Sequence, residues 1–200
     1  EETVLENTVT IILKTFRHVQ SLEFENDYVL IDVSALQVLQ LKSLTLRSMD
    51  LFDVLGLEYL ALKLQSLSLM GYGNNSLTGL SALGSLKNIK NLYLSGCRNL
   101  SDISCFRSLK TIENLNLSNC RRLADISALE SLNNIKKLCL SGCDDLTDIS
   151  SLRSLKTIEN LDLSNCQRLT YISALESLVN IVKLDLSRGP ILYGRDVSAL

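Results

Sequence analysis

The stretch LYLSGC at residues 92–97 returns as LNLSNC at 115–120, LCLSGC at 138–143 and LDLSNC at 161–166. Each copy begins 23 residues after the previous one, and the third and fifth letters change most. A fixed period of this length is typical of a protein built from stacked structural units. We therefore expect the leucines in a core, and we expect the varying letters to point outward from a strand.

The spacing of the apolar residues predicts the shape of one unit. From Leu117 to Leu138 an apolar residue or cysteine recurs at every third position, and a single step of two leads to Leu140. A step of two is the period of a strand, whereas a sustained step of three fits 3₁₀ or polyproline-type turns better than an α-helix. Eight such steps of two occur, the first at 22/24 and the last at 184/186. Each unit is predicted to be one coil with one short strand, stacked on its neighbours so that the strands form a parallel sheet.

Composition and charge exclude several classes of protein. The chain is 46% hydrophobic and 21% charged with a net charge of −2, which favours a folded domain and gives no basic arm for nucleic acid. No apolar run reaches the roughly 20 residues of a membrane span, so no membrane insertion is expected. The chain begins at Glu1 and stops at DVSAL, the opening of another unit, so we expect it to be a piece of a longer protein.

Four stretches carry a resemblance to a known family: IKNLYLSGCRNL (89–100), IENLNLSNCRRL (112–123), IKKLCLSGCDDL (135–146) and IENLDLSNCQRL (158–169). They resemble the leucine-rich repeat signature LxxLxLxxCxxL, with Cys where many members carry Asn. The trailing DIS of CRNLSDIS and CDDLTDIS resembles internalin-type and trypanosomatid-type repeats. The resemblance implies an α/β solenoid, a horseshoe or arc of about eight repeats, with a parallel concave sheet and 3₁₀ or short helices on the convex side. We expect residues 1–200 to form one domain, with an irregular or partial coil at 1–12 and repeats over 13–200.

Four cysteines recur at the bend after the strand: Cys97, Cys120, Cys143 and Cys166. The resemblance implies a buried ladder whose side chains bond backbone groups of the turn. The alternative is a zinc or redox site, but zinc prefers close pairs such as C-x₂₋₄-C, and Cys139 is expected to face out of its strand while Cys143 turns inward. We therefore expect neither metal nor cofactor. Several unpaired thiols favour a reducing compartment.

The outward positions of the last five strands are the candidate binding surface. A parallel sheet usually has both faces covered, and here one face would be bare, long and lined by small polar and charged groups. Its predicted partner-binding residues on the concave side are Asn91, Tyr93, Asn114, Asn116, Lys137, Cys139, Asn160, Asp162, Lys183 and Asp185. Two longer connections, at 70–79 and 187–196, are alternative binding sites.

Further residues are candidate anchors, caps or catalysts. Tyr93, Met70 and Tyr171 are candidate interface anchors, because aromatic residues are enriched at binding hot spots. Ser127-Ala-Leu-Glu130 matches the S-x-x-E capping box, as does the stretch 173–176. The single histidine, His18, lies outside the regular units. Asp162 and Asp185 would have the spacing of paired catalytic carboxylates, but so would any two acids in neighbouring coils.

The sequence thus predicts a non-catalytic protein-interaction module that binds a protein partner through its concave strands, as a scaffold or substrate-recognition segment. An intracellular location, cytoplasmic or nuclear, is expected. The alternative is an extracellular adhesin or surface antigen of internalin-like type at the cell surface. A third possibility is a spacer whose concave face contacts nothing.

Overall fold

The computed structural model of the protein describes residue 15 and residues 17–25, 33–48, 52–71 and 77–189. Short strands and short 3₁₀ helices alternate along these ranges. The strands are β1 (Ser21–Glu25), β2 (Ser43–Ser48), β3 (Phe52–Asp53), β4 (Ser66–Gly71), β5 (Leu77–Thr78), β6 (Asn91–Tyr93), β7 (Asn114–Asn116), β8 (Lys137–Cys139), β9 (Asn160–Asp162) and β10 (Lys183–Asp185). The 3₁₀ helices are η1 (Val33–Val38), η2 (Leu55–Leu60), η3 (Leu80–Ser85), η4 (Ser104–Ser108), η5 (Ser127–Ser131), η6 (Ser150–Ser154) and η7 (Ser173–Ser177).

Eight of these strands form one open sheet in the order β1-β2-β4-β6-β7-β8-β9-β10. All of its strand pairs are parallel, and equivalent residues face each other, as Leu92 faces Leu115 and Leu115 faces Leu138. The predicted leucine-rich repeat solenoid is therefore confirmed. A second parallel pair, β3 with β5, was not predicted; it joins Phe52–Asp53 to the end of the long connection at 70–79.

The apolar spacing follows from the backbone hydrogen bonds of each coil. On the side opposite the strands, Leu129 N–H donates to Ile126 O, Leu132 N–H to Leu129 O and Ile135 N–H to Leu132 O. These are bonds to the third preceding residue, which define 3₁₀ geometry and bring every third side chain to the same side. Every residue of the three-step from Leu117 to Leu138, and Leu140 after it, is at most 2% exposed. The stacked coils thus share one continuous core.

The cysteine column lies inside this core, as the resemblance implied. Each thiol donates to the carbonyl oxygen of the second leucine of the Leu-x-Leu pair in the preceding coil: Cys120 Sγ lies 3.3 Å from Leu94 O, and Cys166 Sγ lies 3.1 Å from Leu140 O. Burial raises the pKa of the Cys97 thiol to about 12 and raises the pKa values of the other three. The four thiols are structural donors that remain protonated at neutral pH.

A second ladder, which the apolar pattern does not predict, joins the coils before each strand. Thr111 Oγ1 donates to Ile89 O at 2.7 Å, and Asn134 Nδ2 donates to Lys110 O at 2.7 Å. Thr157 and Asn180, each 46 residues further along the chain, make the equivalent two hydrogen bonds. Threonine and asparagine therefore alternate in one column because either side chain satisfies a carbonyl group of the coil before it.

Several predictions concern residues outside the described ranges. The irregular coil at 1–12 lies wholly outside them, as do residues 72–76 of the long connection at 70–79 and residues 190–196 of the one at 187–196. None of the helices in the described ranges has the length and apolarity needed to cross a membrane.

Candidate protein-interaction surface

One face of the eight-stranded sheet packs on the core and the opposite face, here called the open face, is uncovered in the described structure. All ten predicted site residues lie on it, in two rows that run across strands β6–β10. Row A contains the first residue of each strand: Asn91, Asn114, Lys137, Asn160 and Lys183. Row B contains the third residue of each strand: Tyr93, Asn116, Cys139, Asp162 and Asp185.

A shallow hollow of about 300 Å³ occupies the C-terminal half of the open face. Nine of the ten predicted residues line it, and Asn91 is the exception. Its lining also includes Leu115, Leu138 and Leu161, which the sequence pattern assigned to the core alone. These leucines are at most 2% exposed, so polar groups of rows A and B supply most of the surface that a ligand would meet.

Three row B side chains also hold the chain at the end of their strand. Asn116 Oδ1 accepts a hydrogen bond from Ser118 N–H at 2.8 Å, and Asp162 Oδ1 accepts one from Ser164 N–H at 2.9 Å. Asp185 Oδ1 bonds Ser187 in the same way. These are Asx turns, in which a side-chain oxygen binds the backbone two residues on. Row B therefore has a structural role that the prediction of a binding surface did not include.

Two row B residues on neighbouring strands, Cys139 and Asp162, interact with each other. Cys139 Sγ lies 3.5 Å from Asp162 Oδ2 and donates to it. Burial, followed by the negative charge of Asp162, raises the pKa of Cys139 to about 11 despite a lowering contribution from the Ser141 backbone. Because the thiolate is the reactive form, this thiol is unsuited to nucleophilic chemistry at neutral pH.

Row A consists of three asparagines and two lysines. Asn114 Nδ2 donates to Asn91 Oδ1 at 2.6 Å, which links the first two strands of the hollow. Lys137 and Lys183 are exposed, and no ion pair or hydrogen bond of either side chain occurs within the described ranges. The hollow therefore offers two cations to an incoming ligand.

A third row, the serine row, borders the hollow where the strands end. Its hydroxyls pair across neighbouring coils, Ser95 with Ser118 and Ser141 with Ser164, each at 2.8 Å. Since these hydroxyl groups already hydrogen-bond to each other, the serine row forms a small, satisfied rim beside row B.

The residue at the fifth letter of the repeated stretch is determined by the backbone conformation of the turn after the strand. Gly96, Asn119, Gly142 and Asn165 all have positive φ, between 58° and 80°. Glycine adopts that left-handed conformation freely and asparagine tolerates it, so backbone geometry favours these two residues, although Arg188 occupies the same position of the last unit at φ 50°. We predicted that both varying letters point outward from the strand; the third letter does so, in row B, whereas the fifth follows the end of the strand, in a turn.

The prediction of a capping box at Ser127 was wrong. Helix η5 has five residues, and no side chain caps it at Ile126. Asp125 Oδ1 instead accepts the hydrogen bond from Ser127 N–H at 2.8 Å, and the Ser127 hydroxyl accepts one from Arg107 Nη2 at 3.1 Å. An aspartate two residues before the serine thus replaces the serine as the cap of this turn.

The other candidate residues lie away from the hollow or lack, within the described ranges, the neighbours that catalysis or metal binding requires. Tyr171 is 71% exposed and lies near Asp148 and Arg153, off the open face, so it is not part of the hollow. His18 is exposed in a turn. No cluster of three or more metal-ligating side chains occurs in the described ranges. Hydrogen bonds from Ser187 lower the pKa of Asp185, which is opposite to what a general acid requires.

Comparisons with known proteins agree with this geometry. The model of a family described as BspA type leucine rich repeat region matches residues 66–184 in six copies. No curated protein sequence matches the chain. An internalin (inlF) from Listeria monocytogenes superposes with a TM-score of 0.72 at 23% identity, over 92% of this chain and 56% of the internalin.

Two further solved structures share the fold. A leucine-rich repeat protein of Leptospira interrogans has a TM-score of 0.55 at 18% identity, covering 94% of this chain and 59% of that one. The ectodomain of the Arabidopsis receptor kinase HAESA, solved with a peptide hormone ligand, has a TM-score of 0.55 at 20% identity over 86% of this chain. The present chain spans little more than half of the two bacterial proteins and 29% of the plant chain.

Proposed function

This chain belongs to the BspA-type leucine-rich repeat family, and on that premise we propose that it is a non-catalytic module that binds a protein partner through its open face. The fold is one that commonly serves protein interaction. The binding residues in this proposal are those of rows A and B, centred on the hollow between Tyr93 and Asp185.

One observation carries the proposal: the eight-stranded parallel sheet has one face that no described residue covers. Parallel sheets occur almost always with both faces covered, because their strands are joined by elements that pack on them. Here the 3₁₀ helices and the core all lie on one side. The bare side carries polar side chains on a regular grid, set by a strand spacing of about 4.8 Å. A regular, rigid and exposed surface of this kind suits a partner that makes many small contacts.

The arrangement of titratable groups supports a binding role over catalysis. The hollow contains acids and lysines, but it pairs no nucleophile with a base, and its one thiol has a raised pKa. The HAESA structure was solved with a peptide ligand, which is an example of recognition by the same fold and supports a polypeptide partner here.

A cell-surface adhesin or antigen is the second candidate function, favoured by the internalin among the structural neighbours. The free thiols no longer argue for an intracellular site. Four of the six cysteines are buried, so oxidants reach them poorly in either compartment. Labelling of intact source cells with a membrane-impermeant biotin reagent separates the two locations, because a surface protein is biotinylated without lysis.

The binding surface is tested by two matched substitutions. Asn160→Arg places a bulky cation in row A, where Lys137 and Lys183 show that a long cationic side chain is accommodated. Asn133→Arg makes the same chemical change on an exposed position off the open face, in a column that contains Lys110 and Lys156. Proteins retained by the wild type from its source cells are quantified by mass spectrometry. We expect Asn160→Arg to lose a specific set that Asn133→Arg retains.

Equal retention by both variants refutes binding through the open face. If the wild type retains nothing above a bare-resin control, the spacer hypothesis is supported instead. Circular dichroism of each variant confirms that neither substitution changes the fold.

A further inference from the structure

We propose that the partner bound by the open face is an extended polypeptide segment whose acidic side chains lie over row A and whose basic side chains lie over row B. This inference rests on the proposed function and adds the chemical class of the partner. It is carried by the charges of the hollow, which are sorted by sign into two rows and make no ion pair with any described residue.

The sorting by sign follows from the register of the strands. Lys137 and Lys183 belong to row A, and Asp162 and Asp185 belong to row B. The rows are two residues apart along each strand, which is about 6.6 Å. Within row A the lysines are two coils apart, about 10 Å at the usual spacing of strands. A ligand that lies across the strands therefore meets a positive border on one side and a negative border on the other.

These four charges differ from the charges on the neighbouring edges of the solenoid. Glu113 pairs with Lys90 at 3.5 Å and with Lys136 at 3.2 Å, and Arg168 pairs with Asp145 at 2.7 Å. Within the described ranges, no ion pair involves any of the four charges of the hollow. A partner can therefore pair with them without breaking an internal ion pair, and complementary charges would fix its position along the rows.

The shape and charge of the surface favour a polypeptide over other ligands. A small molecule binds best in an enclosed pocket, whereas this hollow is shallow and continuous with a long sheet face. Nucleic acid would place phosphates against Asp162 and Asp185, on a chain whose net charge is −2. An extended polypeptide sends successive side chains to opposite sides. A segment lying between the rows would thus place alternate side chains over row A and row B.

The chain itself supplies conservative substitutions for testing these charges. Asparagine already occupies row A at positions 91, 114 and 160, so Lys137→Asn with Lys183→Asn removes two cations and keeps a residue that the row accepts. In row B, Asn116 makes the same Asx turn as the two aspartates. Asp162→Asn with Asp185→Asn therefore removes two anions while retaining the turn.

The experiment selects peptides from a random twelve-residue library displayed on phage, with the purified chain as target. We expect enriched peptides to contain both acidic and basic residues. Each of the two double variants should weaken their binding about fivefold, since two exposed ion pairs contribute modestly, and binding should weaken further at high salt. Lys110→Asn with Lys156→Asn is the control, because it removes two lysines off the open face, where Asn133 occupies the same column.

The possible failures are distinguishable. Enriched peptides that lose binding to Asn160→Arg but are unaffected by both charge-neutralising pairs would refute the charge-sorted partner and leave the proposed function standing. Peptides that bind Asn160→Arg as well as the wild type, or a selection without enrichment over a blank target, would count against both.

Discussion

Replacing Gly96 by alanine should destabilise the solenoid more than the same change at Gly142. Both glycines have positive φ, +80° and +69°, so alanine at either site costs about 1–2 kcal/mol for the left-handed conformation. They differ in what the new Cβ meets. At Gly96 it would collide with the backbone oxygen Gly71 O, whereas at Gly142 it would lie 2.7 Å from Asn119 Oδ1, the end of a side chain that can rotate.

The backbone collision sets the expected difference. Overpacking that forces backbone shifts costs about 1–3 kcal/mol, so Gly96→Ala should lose about 2–5 kcal/mol and Gly142→Ala about 1–2 kcal/mol. Urea unfolding followed by far-ultraviolet circular dichroism measures both, since the chain has no tryptophan to report by fluorescence. With a urea dependence of about 2 kcal/mol per molar, the two midpoints should differ by roughly 0.5–1.5 M.

Two controls make the comparison decisive. If the free energy of unfolding depends on urea concentration with the same slope in each variant as in the wild type, the variants unfold as the wild type does. Asn119→Gly removes the side chain beside Gly142, and in that background Gly142→Ala should still cost about 1–2 kcal/mol, because the left-handed conformation alone sets its cost. Equal midpoints for Gly96→Ala and Gly142→Ala would refute the close approach of adjacent coils at this bend.

Three further predictions concern the core, the thiols and pH. Leu117→Ala, at a residue with 0% exposure, should lower the free energy of unfolding by about 2–5 kcal/mol, and an unchanged urea midpoint would contradict its burial. Ellman's reagent should leave the four cysteines of the ladder unreacted in the native chain and modify all six thiols in urea; rapid native reaction of the ladder would contradict its burial. Hydrogen bonds from the Ser127 backbone N–H and hydroxyl lower the pKa of Asp125, so its stabilising contribution is complete above about pH 4 and is lost as pH falls through the lowered pKa. The stability difference between wild type and Asp125→Ala should therefore shrink on acidification, and a constant difference would refute this role.

The parts of the fold that could be predicted from the sequence are those that repeat with the apolar pattern. The leucine steps placed the strands, the core and the two open-face rows correctly, because a one-residue error in register would reverse every side chain of a strand. The cysteine ladder followed from its fixed place in the repeat. These features are encoded by many equivalent residues, so no single irregular unit obscures them.

Features that depend on contacts between polar groups of adjacent coils could not be predicted in this way. Asn116 and Asp162 were recognised as outward-facing, but their Asx turns depend on the backbone conformation after the strand. The capping box failed because η5 is a short 3₁₀ turn whose first N–H group, that of Ser127, is already satisfied by Asp125. The alternation of Thr111 and Asn134 is visible in the sequence, but its cause is a carbonyl group of another coil.

The in-register stacking of the strands underlies both rows and is tested most directly by engineered disulfides. Asn91→Cys with Asn114→Cys places two cysteines at paired positions of adjacent strands, about 4.8 Å apart between Cα atoms, within the range that a disulfide spans. Asn91→Cys with Lys137→Cys places them two strands apart, about 10 Å, which is too far. Mass spectrometry after mild oxidation should find the first crosslink in nearly all molecules and the second in almost none. Efficient crosslinking of 91 to 137, or none between 91 and 114, would contradict the stacked solenoid and the surface inferred from it.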